Sequence, residues 1–236
     1  MPERAYVGTE LELFAHAEHW KAYLISAMQG RVRGDVAEVG AGLGVYTKLF
    51  LSKLETRSWS CIEPDKALMS KLREQLAPNI ESGDVRCIAG TLDDVDPSAR
   101  FDCILYIDVL EHIEDDRAEL RRAADHLAQA GHLLVLSPAH DFLFSDFDRA
   151  IGHHRRYDTR SLNSVAPPEL EQVSMLYLDS VGMLASLVNR WILKQSQPTR
   201  TQIQLWDRRM VPLSRLIDPW LGYRLGKSIL GVWRKP

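Results

Sequence analysis

Short apolar runs alternate with helical periods through the first half of the chain. Asp35–Val39 precedes Gly44–Leu54, Trp59–Ile62 precedes Lys66–Leu76, Val85–Ala89 stands alone, and Phe101–Ile107 precedes Arg117–Ala130 and Gly131–Ser137. Strands alternating with helices predict parallel βαβ units in a doubly wound α/β sheet. Ahead of them, Leu11, Phe14, Ala15, Ala22 and Ile25 share helical spacing, which predicts one helix over Glu10–Met28 with Thr9 as N-cap and Gly30 past its end. After Pro138 the period is lost until a strand over Gln172–Leu178, and Ser228–Trp233 is a last apolar strand. Between those two strands, helical periods around Leu184–Leu193 and Leu205–Ile217 predict an inserted helical cap. The expected organisation is a helical cover over residues 1–34, a core over 35–180, the cap over 181–226 and a final core strand over 227–236.

Composition narrows the class without naming a chemistry. At 45% hydrophobic and 26% charged residues the chain is an ordinary globular one. Cys61, Cys87 and Cys103 lie in apolar runs and read as reduced core thiols, and no spacing suits a structural zinc. No leader-like start and no apolar run of membrane-spanning length is found, so a cytoplasmic protein is expected. The net charge of -3 hides an asymmetry, because Val181–Pro236 carries 10 Lys and Arg against 2 Asp and Glu, with four of the six Trp.

The sharpest local signal is Glu38-Val39-Gly40-Ala41-Gly42-Leu43-Gly44, where an apolar strand enters three alternating glycines and then a helix. Glycines at such a turn allow positive φ and close approach of backbone to ligand, and the helix start aims its amides there. Glu63 follows at the end of the next strand, where an acid can accept both hydroxyls of a ribose. These parts make a nucleoside half-site. A dinucleotide site usually spaces its glycines GxGxxG, and this loop reads GxGxG.

With that loop, Glu63, Gly90-Thr91-Leu92-Asp93-Asp94 and Asp108-Val109-Leu110-Glu111-His112-Ile113 in order, the chain resembles the class I S-adenosylmethionine-dependent methyltransferases over roughly residues 35–137. The resemblance implies a seven-stranded, mostly parallel Rossmann-like sheet with S-adenosylmethionine as cofactor. It also implies that Glu38, Gly40, Ala41, Gly42 and Gly44 meet the cofactor's amino acid part, that Glu63 meets the ribose, that Thr91 and Leu92 border the adenine, and that Asp108 lies by the methionine moiety. Many relatives have Asp where Thr91 stands, which moves recognition of the adenine amino group to backbone carbonyls or Asp93. Ser145-Asp146-Phe147-Asp148 with Gly152-His153-His154-Arg155-Arg156-Tyr157 is similar to a segment of a bacterial subgroup associated with glycan, lipid or secondary-metabolite tailoring.

Methyl transfer to a hydroxyl needs alignment and a proton acceptor, and His titrates in the useful range. His153 and His112 are the candidate bases. Asp148, Arg155, Arg156 and Tyr157 are candidates to meet an acceptor, the guanidinium groups matching an anionic part. Against that stands a solvated face, with Asp148 paired to an arginine. Asp146, Asp148 and His153 could also be read as a cation cluster, but three neighbouring arginines oppose it, and no metal is expected. The basic, Trp-rich cap suits an apolar or anionic acceptor or transient contact with an anionic membrane, and nucleic acid is not an expected partner. The expected activity is methylation of a small-molecule or lipid- or glycan-linked acceptor, oxygen favoured. The alternatives are a non-catalytic S-adenosylmethionine-binding subunit and a dinucleotide-dependent oxidoreductase.

Overall fold

The computed structural model describes residues 14–188 and 199–236. Seven strands form one sheet in the order β3-β2-β1-β4-β5-β7-β6. These are β1 (Gly34–Val39), β2 (Thr56–Glu63), β3 (Val85–Ala89), β4 (Phe101–Ile107), β5 (Leu127–Pro138), β6 (Glu171–Leu178) and β7 (Ser228–Arg234). The first five pair in parallel, while β7 runs antiparallel to both β5 and β6. This is the Rossmann-like methyltransferase architecture. The chain order reverses outward from β1 and β4, so the carboxyl ends of those two strands flank the crevice where open α/β sheets bind ligands.

Both faces of the sheet are covered. One carries α1 (Glu18–Met28), α2 (Val45–Lys53) and α3 (Lys66–Gln75), whose Trp20, Leu24, Phe50, Met69 and Leu72 join Val36, Cys61, Leu105 and Leu134 in one apolar cluster. The other carries α5 (Asp116–His126) and α7 (Thr159–Val165), with Leu120, Ala123 and Leu162 packed on Ala37, Ile104, Leu133 and Trp233. Between α3 and β3 runs the short α4 (Ala77–Glu81), and α6 (Asp146–Ala150) lies between β5 and α7. All three cysteines are free thiols. No helix among the described residues is long and apolar enough to cross a membrane.

Two elements differ from expectation. The helix expected over Glu10–Met28 is interrupted: Phe14 is helical, a turn follows at Ala15 and His16, and α1 runs from Glu18 to Met28, while Thr9 and Glu10 lie outside the described residues. The helix expected over Arg117–Ala130 ends at His126, because Leu127 already pairs with Phe101 of β4. Backbone hydrogen bonds from Ala130 N–H to the Lys235 carbonyl and from Lys235 N–H to the Gly131 carbonyl then tie this stretch to the chain end. An alanine-rich segment with good helix propensity is thus overridden by sheet pairing.

The segment between β6 and β7 comprises α8 (Ser180–Val188), α9 (Arg200–Leu205), a π turn (Trp206–Met210) and α10 (Val211–Ile217). It shares the face of α1, and buried carboxylates fasten the two together. Asp218 accepts from Tyr23 Oη at 2.7 Å and from the Asp179 N–H at 2.7 Å, and also from the Ser180 hydroxyl. Asp179 accepts from Trp206 Nε1 at 2.6 Å and from Ser214 Oγ at 2.6 Å, and Asp207 accepts from the Trp20 N–H at 2.9 Å. Each carboxylate is satisfied, as burial demands. Leu193 and its neighbours in the expected cap helix lie outside the described residues.

Candidate active site

The loop leaving β1 is shaped by its glycines. Gly40, Gly42 and Gly44 have φ of 69°, 56° and 72°. At Gly40 a Cβ would come within 2.5 Å of Val109 Cγ2, so no other residue fits without moving the loop after β4. Gly40 and Ala41 donate to the Ile62 carbonyl, and Gly42 N–H donates to Glu63 Oε2 at 2.8 Å. Glu63 accepts at its other oxygen from the Asp65 N–H at 2.9 Å. The acid expected to meet a ribose therefore also braces the glycine loop, and burial pushes its carboxyl upward.

Glu38 lies beneath this loop, buried on the face toward α2. Its Oε2 accepts from Thr47 Oγ1 at 2.6 Å and Trp59 Nε1 at 3.0 Å, and burial pushes its pKa up to about 7. Asp108 follows β4 at the left-handed φ of 54°, exposed, with its N–H donating to the Leu136 carbonyl. The surrounding protein pushes its carboxyl up to about 6, against the opposing charges of His153, Lys227 and Arg156. Thr91 is exposed and caps the turn Leu92–Asp94, while the Leu92 side chain is 1% exposed within the apolar core. Leu92 can border a ligand through its backbone, not its side chain.

The loops after β4 and β5 meet beside Asp108. The turn Leu110–His112 buries Glu111, whose Oε2 accepts from Ser137 Oγ at 2.9 Å. Its Oε1 is buried with no hydrogen-bond partner and faces His153 Nε2 at 3.8 Å. The rings of His112 and His153 stand edge to face, 4.5 Å between centroids. Burial, with His153 beside it, pushes His112 down to about 4, although its ring is hydrogen-bonded to the Gly152 backbone. Glu111, His112 and His153 each offer one ligand atom within 4.8 Å of the others.

Four residues expected at the acceptor instead build the frame behind His153. Asp148 is fully buried and accepts from His153 Nδ1 at 3.0 Å, from Ser145 N–H and Oγ at 2.8 Å each, and from Arg156 Nε and Nη2 at 2.9 and 3.0 Å. Burial would raise its pKa, but the hydrogen bonds from His153, Arg156 and Ser145 prevail and hold it well below the usual carboxylate range. Tyr157 is 1% exposed and donates to Asp116 Oδ2 at 2.7 Å. Arg155 pairs with Asp116 at 2.5 Å and donates to the Glu114 carbonyl. Asp148 and Tyr157 are thus buried, while Arg155 and Arg156 are partly exposed and each is engaged by a carboxylate of the chain. His154 is exposed, and Asp146 is an exposed partner of Arg149.

Glu111 is the functional candidate that residue-by-residue reading passes over. Its signal was an acid directly beside a candidate base at a strand's carboxyl end. Lys227 is a second, since it lies over the Trp206 ring at 3.8 Å and within 3.5 Å of Asp179 while its charge reaches Asp108.

Residues 37–133 match a family model described as a methyltransferase domain. The chain is similar in structure to the YcgJ protein of Bacillus subtilis, with 19% identity, a TM-score of 0.60, and 92% of this chain and 98% of that one covered. It is similar to the N-methyltransferase NodS of Bradyrhizobium japonicum, with 15% identity, a TM-score of 0.57, and 96% and 99% covered. Phosphoethanolamine N-methyltransferase 2 of Haemonchus contortus, solved with S-adenosylmethionine, aligns at 11% identity and a TM-score of 0.64, over 97% of this chain and 57% of that one. No curated protein matches the sequence. The residues fit the S-adenosylmethionine that the resemblance implies: three glycines hold left-handed φ in the turn after β1, and Glu38, Glu63 and Asp108 lie at or next to the carboxyl ends of β1, β2 and β4 around it.

Proposed function

We propose that this chain methylates a hydroxyl of a small or lipid-linked acceptor. The observation that carries the reading is the packing of His112 and His153 beside Asp108, at the carboxyl ends of β4 and β5. S-adenosylmethionine supplies a methyl group activated by its sulfonium. Glu38, Gly40, Ala41, Gly42 and Gly44 would hold its amino acid part, Glu63 its ribose, and Thr91 with the Leu92 backbone its adenine. Asp108 would lie at the reacting end. A hydroxyl is a poor nucleophile until it loses its proton, so a site for oxygen needs a proton-accepting group near the acceptor. The His112–His153 cluster serves as that group. Asp148, locked by Arg156 and Ser145, fixes the His153 ring, and alignment supplies the rest of the rate.

The acceptor is met at an anionic membrane surface, with residues 181–226 as the cap over it. Support comes from Trp220 at 92% exposed and Leu216 at 69%, with Leu213 and Leu225 also exposed. Arg208, Arg209, Arg215 and Arg224 are exposed among them, whereas Asp207 and Asp218 point inward to buried partners. Exposed apolar side chains interspersed in sequence with exposed arginines suit anionic headgroups over acyl chains.

The test is transfer of labelled methyl to a panel of hydroxyl and amine acceptors, free and in vesicles. His153→Ala and His112→Ala are expected to keep cofactor affinity and lose turnover by ~100 to 10,000-fold. Turnover within a few-fold of the parent in both variants would overturn proton removal by histidine, and transfer to amines alone would overturn oxygen as the methylated atom. Sedimentation with phosphatidylglycerol vesicles but not phosphatidylcholine vesicles, abolished in Trp220→Ser/Leu216→Ser, is expected. Equal sedimentation of parent and variant rejects the membrane surface.

A further inference from the structure

The unpartnered oxygen of Glu111 needs an explanation that hydrogen bonding within the chain does not supply. A buried carboxylate oxygen left unsatisfied costs free energy, and His153 Nε2, which it faces, lies at 3.8 Å, too far for a hydrogen bond. We propose that Glu111, His112 and His153 form a binding site for a divalent transition-metal ion of the zinc, manganese or iron class.

Three features carry the proposal. The first is span. Nitrogen and oxygen ligands sit ~2.1 Å from such an ion, so two of them on one ion lie roughly 3 to 4 Å apart. The Oε1 to Nε2 separation falls in that range, and all three ligand atoms lie within 4.8 Å of one another, leaving a small side-chain rotation to bring them to one centre.

The second is protonation geometry. Asp148 Oδ1 holds His153 at Nδ1, 3.0 Å away. In that tautomer Nδ1 carries the proton and Nε2 presents a lone pair on the side of Glu111 Oε1. A carboxylate behind a ligating imidazole is the usual outer support of a metal-bound histidine. Asp148 is in turn fixed by Arg156 and Ser145, so the imidazole direction is set before any ion arrives.

The third is the donor set. Two imidazoles and one carboxylate suit borderline ions, not calcium or magnesium, and three protein ligands leave coordination positions open to the cleft beside Asp108. Asp146, an exposed partner of Arg149, takes no part. This deepens the hydroxyl reading and rests on it for its chemistry. With the ion bound, His112 and His153 act through it and no longer take the proton themselves: an acceptor oxygen entering an open position becomes more acidic, its proton passes to water, and that oxygen forms the new C–O bond as the S–C bond breaks with its electron pair left on sulfur.

The experiment titrates chelator-treated protein with Zn2+ or Mn2+ alone by calorimetry, and reads Co2+ substitution by visible absorption. One ion per chain is expected. Glu111→Gln and His153→Ala should each abolish it, Asp148→Asn should weaken it by 10 to 100-fold, and His154→Ala, altering an exposed neighbour, should leave it intact. S-adenosylmethionine affinity, measured on every variant, certifies the fold. Absence of stoichiometric binding in the parent, or binding unchanged by both Glu111→Gln and His153→Ala, overturns the site. Methyl transfer to hydroxyls at full rate in chelated protein overturns its role and leaves the hydroxyl reading standing. A bound ion with transfer to amines alone keeps the site and fails that reading.

Discussion

Replacing Glu38 by Gln tests how the cofactor cradle trades stability against binding. Glu38 is 3% exposed, with both hydrogen bonds to Oε2 coming from the neutral donors Thr47 and Trp59. Burial, opposed by those two bonds and aided by the charge of Glu63, raises its pKa from the ordinary 4.5 to about 7. The folded protein thus holds this proton more tightly than the unfolded chain. The resulting stability is fully present below pH 4.5 and is lost as pH rises through 7. One pKa unit is ~1.36 kcal/mol, so the penalty of the ionised form grows by about 2.5 kcal/mol between pH 5 and pH 8. Gln keeps an acceptor for Thr47 and Trp59 but does not titrate. Urea unfolding of parent and variant at pH 5 and pH 8 should therefore show Glu38→Gln gaining about 2.5 kcal/mol relative to the parent at the higher pH, all other titrating groups cancelling. Calorimetry at pH 8 should show weaker S-adenosylmethionine binding by the same variant, because the proposed role of Glu38 is to meet the cofactor's amino acid part with its charge. A stability difference that does not change with pH would refute the burial argument.

The remaining expectations concern the loop and its frame. Gly42→Val should abolish S-adenosylmethionine binding in calorimetry while the protein still unfolds cooperatively, since φ of 56° excludes a β-branched residue from the loop's present shape. Glu63→Ala should weaken the cofactor by ~1.5 to 3 kcal/mol, and should cost a donor analogue lacking both ribose hydroxyls less; an equal loss would assign Glu63 to bracing Gly42 alone. Arg156→Met should destabilise the protein by on the order of 3 kcal/mol in urea, because the fully buried Asp148 loses its bidentate partner.

What the sequence made legible follows the range over which each signal acts. The glycine loop, its following helix and Glu63 sit in one βαβ unit, so local spacing was enough to place them. The strand order could follow only from the resemblance, and the early end of α5 escaped because Leu127 pairs with a strand far back in the chain. The acceptor side escaped in part for the same reason. Arg155 and Tyr157 look like surface recognition groups in sequence, yet both reach Asp116 at the start of α5, and Arg156 turns inward to Asp148. A run of charged residues carries no mark of which way it faces.

The same long-range contacts explain why so charged a segment sits behind an active site. His153 must present Nε2 toward Glu111, and a lone loop histidine would sample several rotamers at a cost in every turnover. Five hydrogen bonds converge on Asp148, from His153, Ser145 and Arg156, while Tyr157 and Arg155 anchor the following residues to Asp116 at the start of α5. The ordering cost is met at folding instead of at catalysis. On this account Tyr157→Phe, which removes only the bond to Asp116, should leave S-adenosylmethionine affinity unchanged and lower kcat more than it raises KM, because the displaced loop misplaces His153 and not the cofactor cradle. A change confined to KM would mean that Tyr157 helps to bind the acceptor, and that the frame does not set the direction of the imidazole.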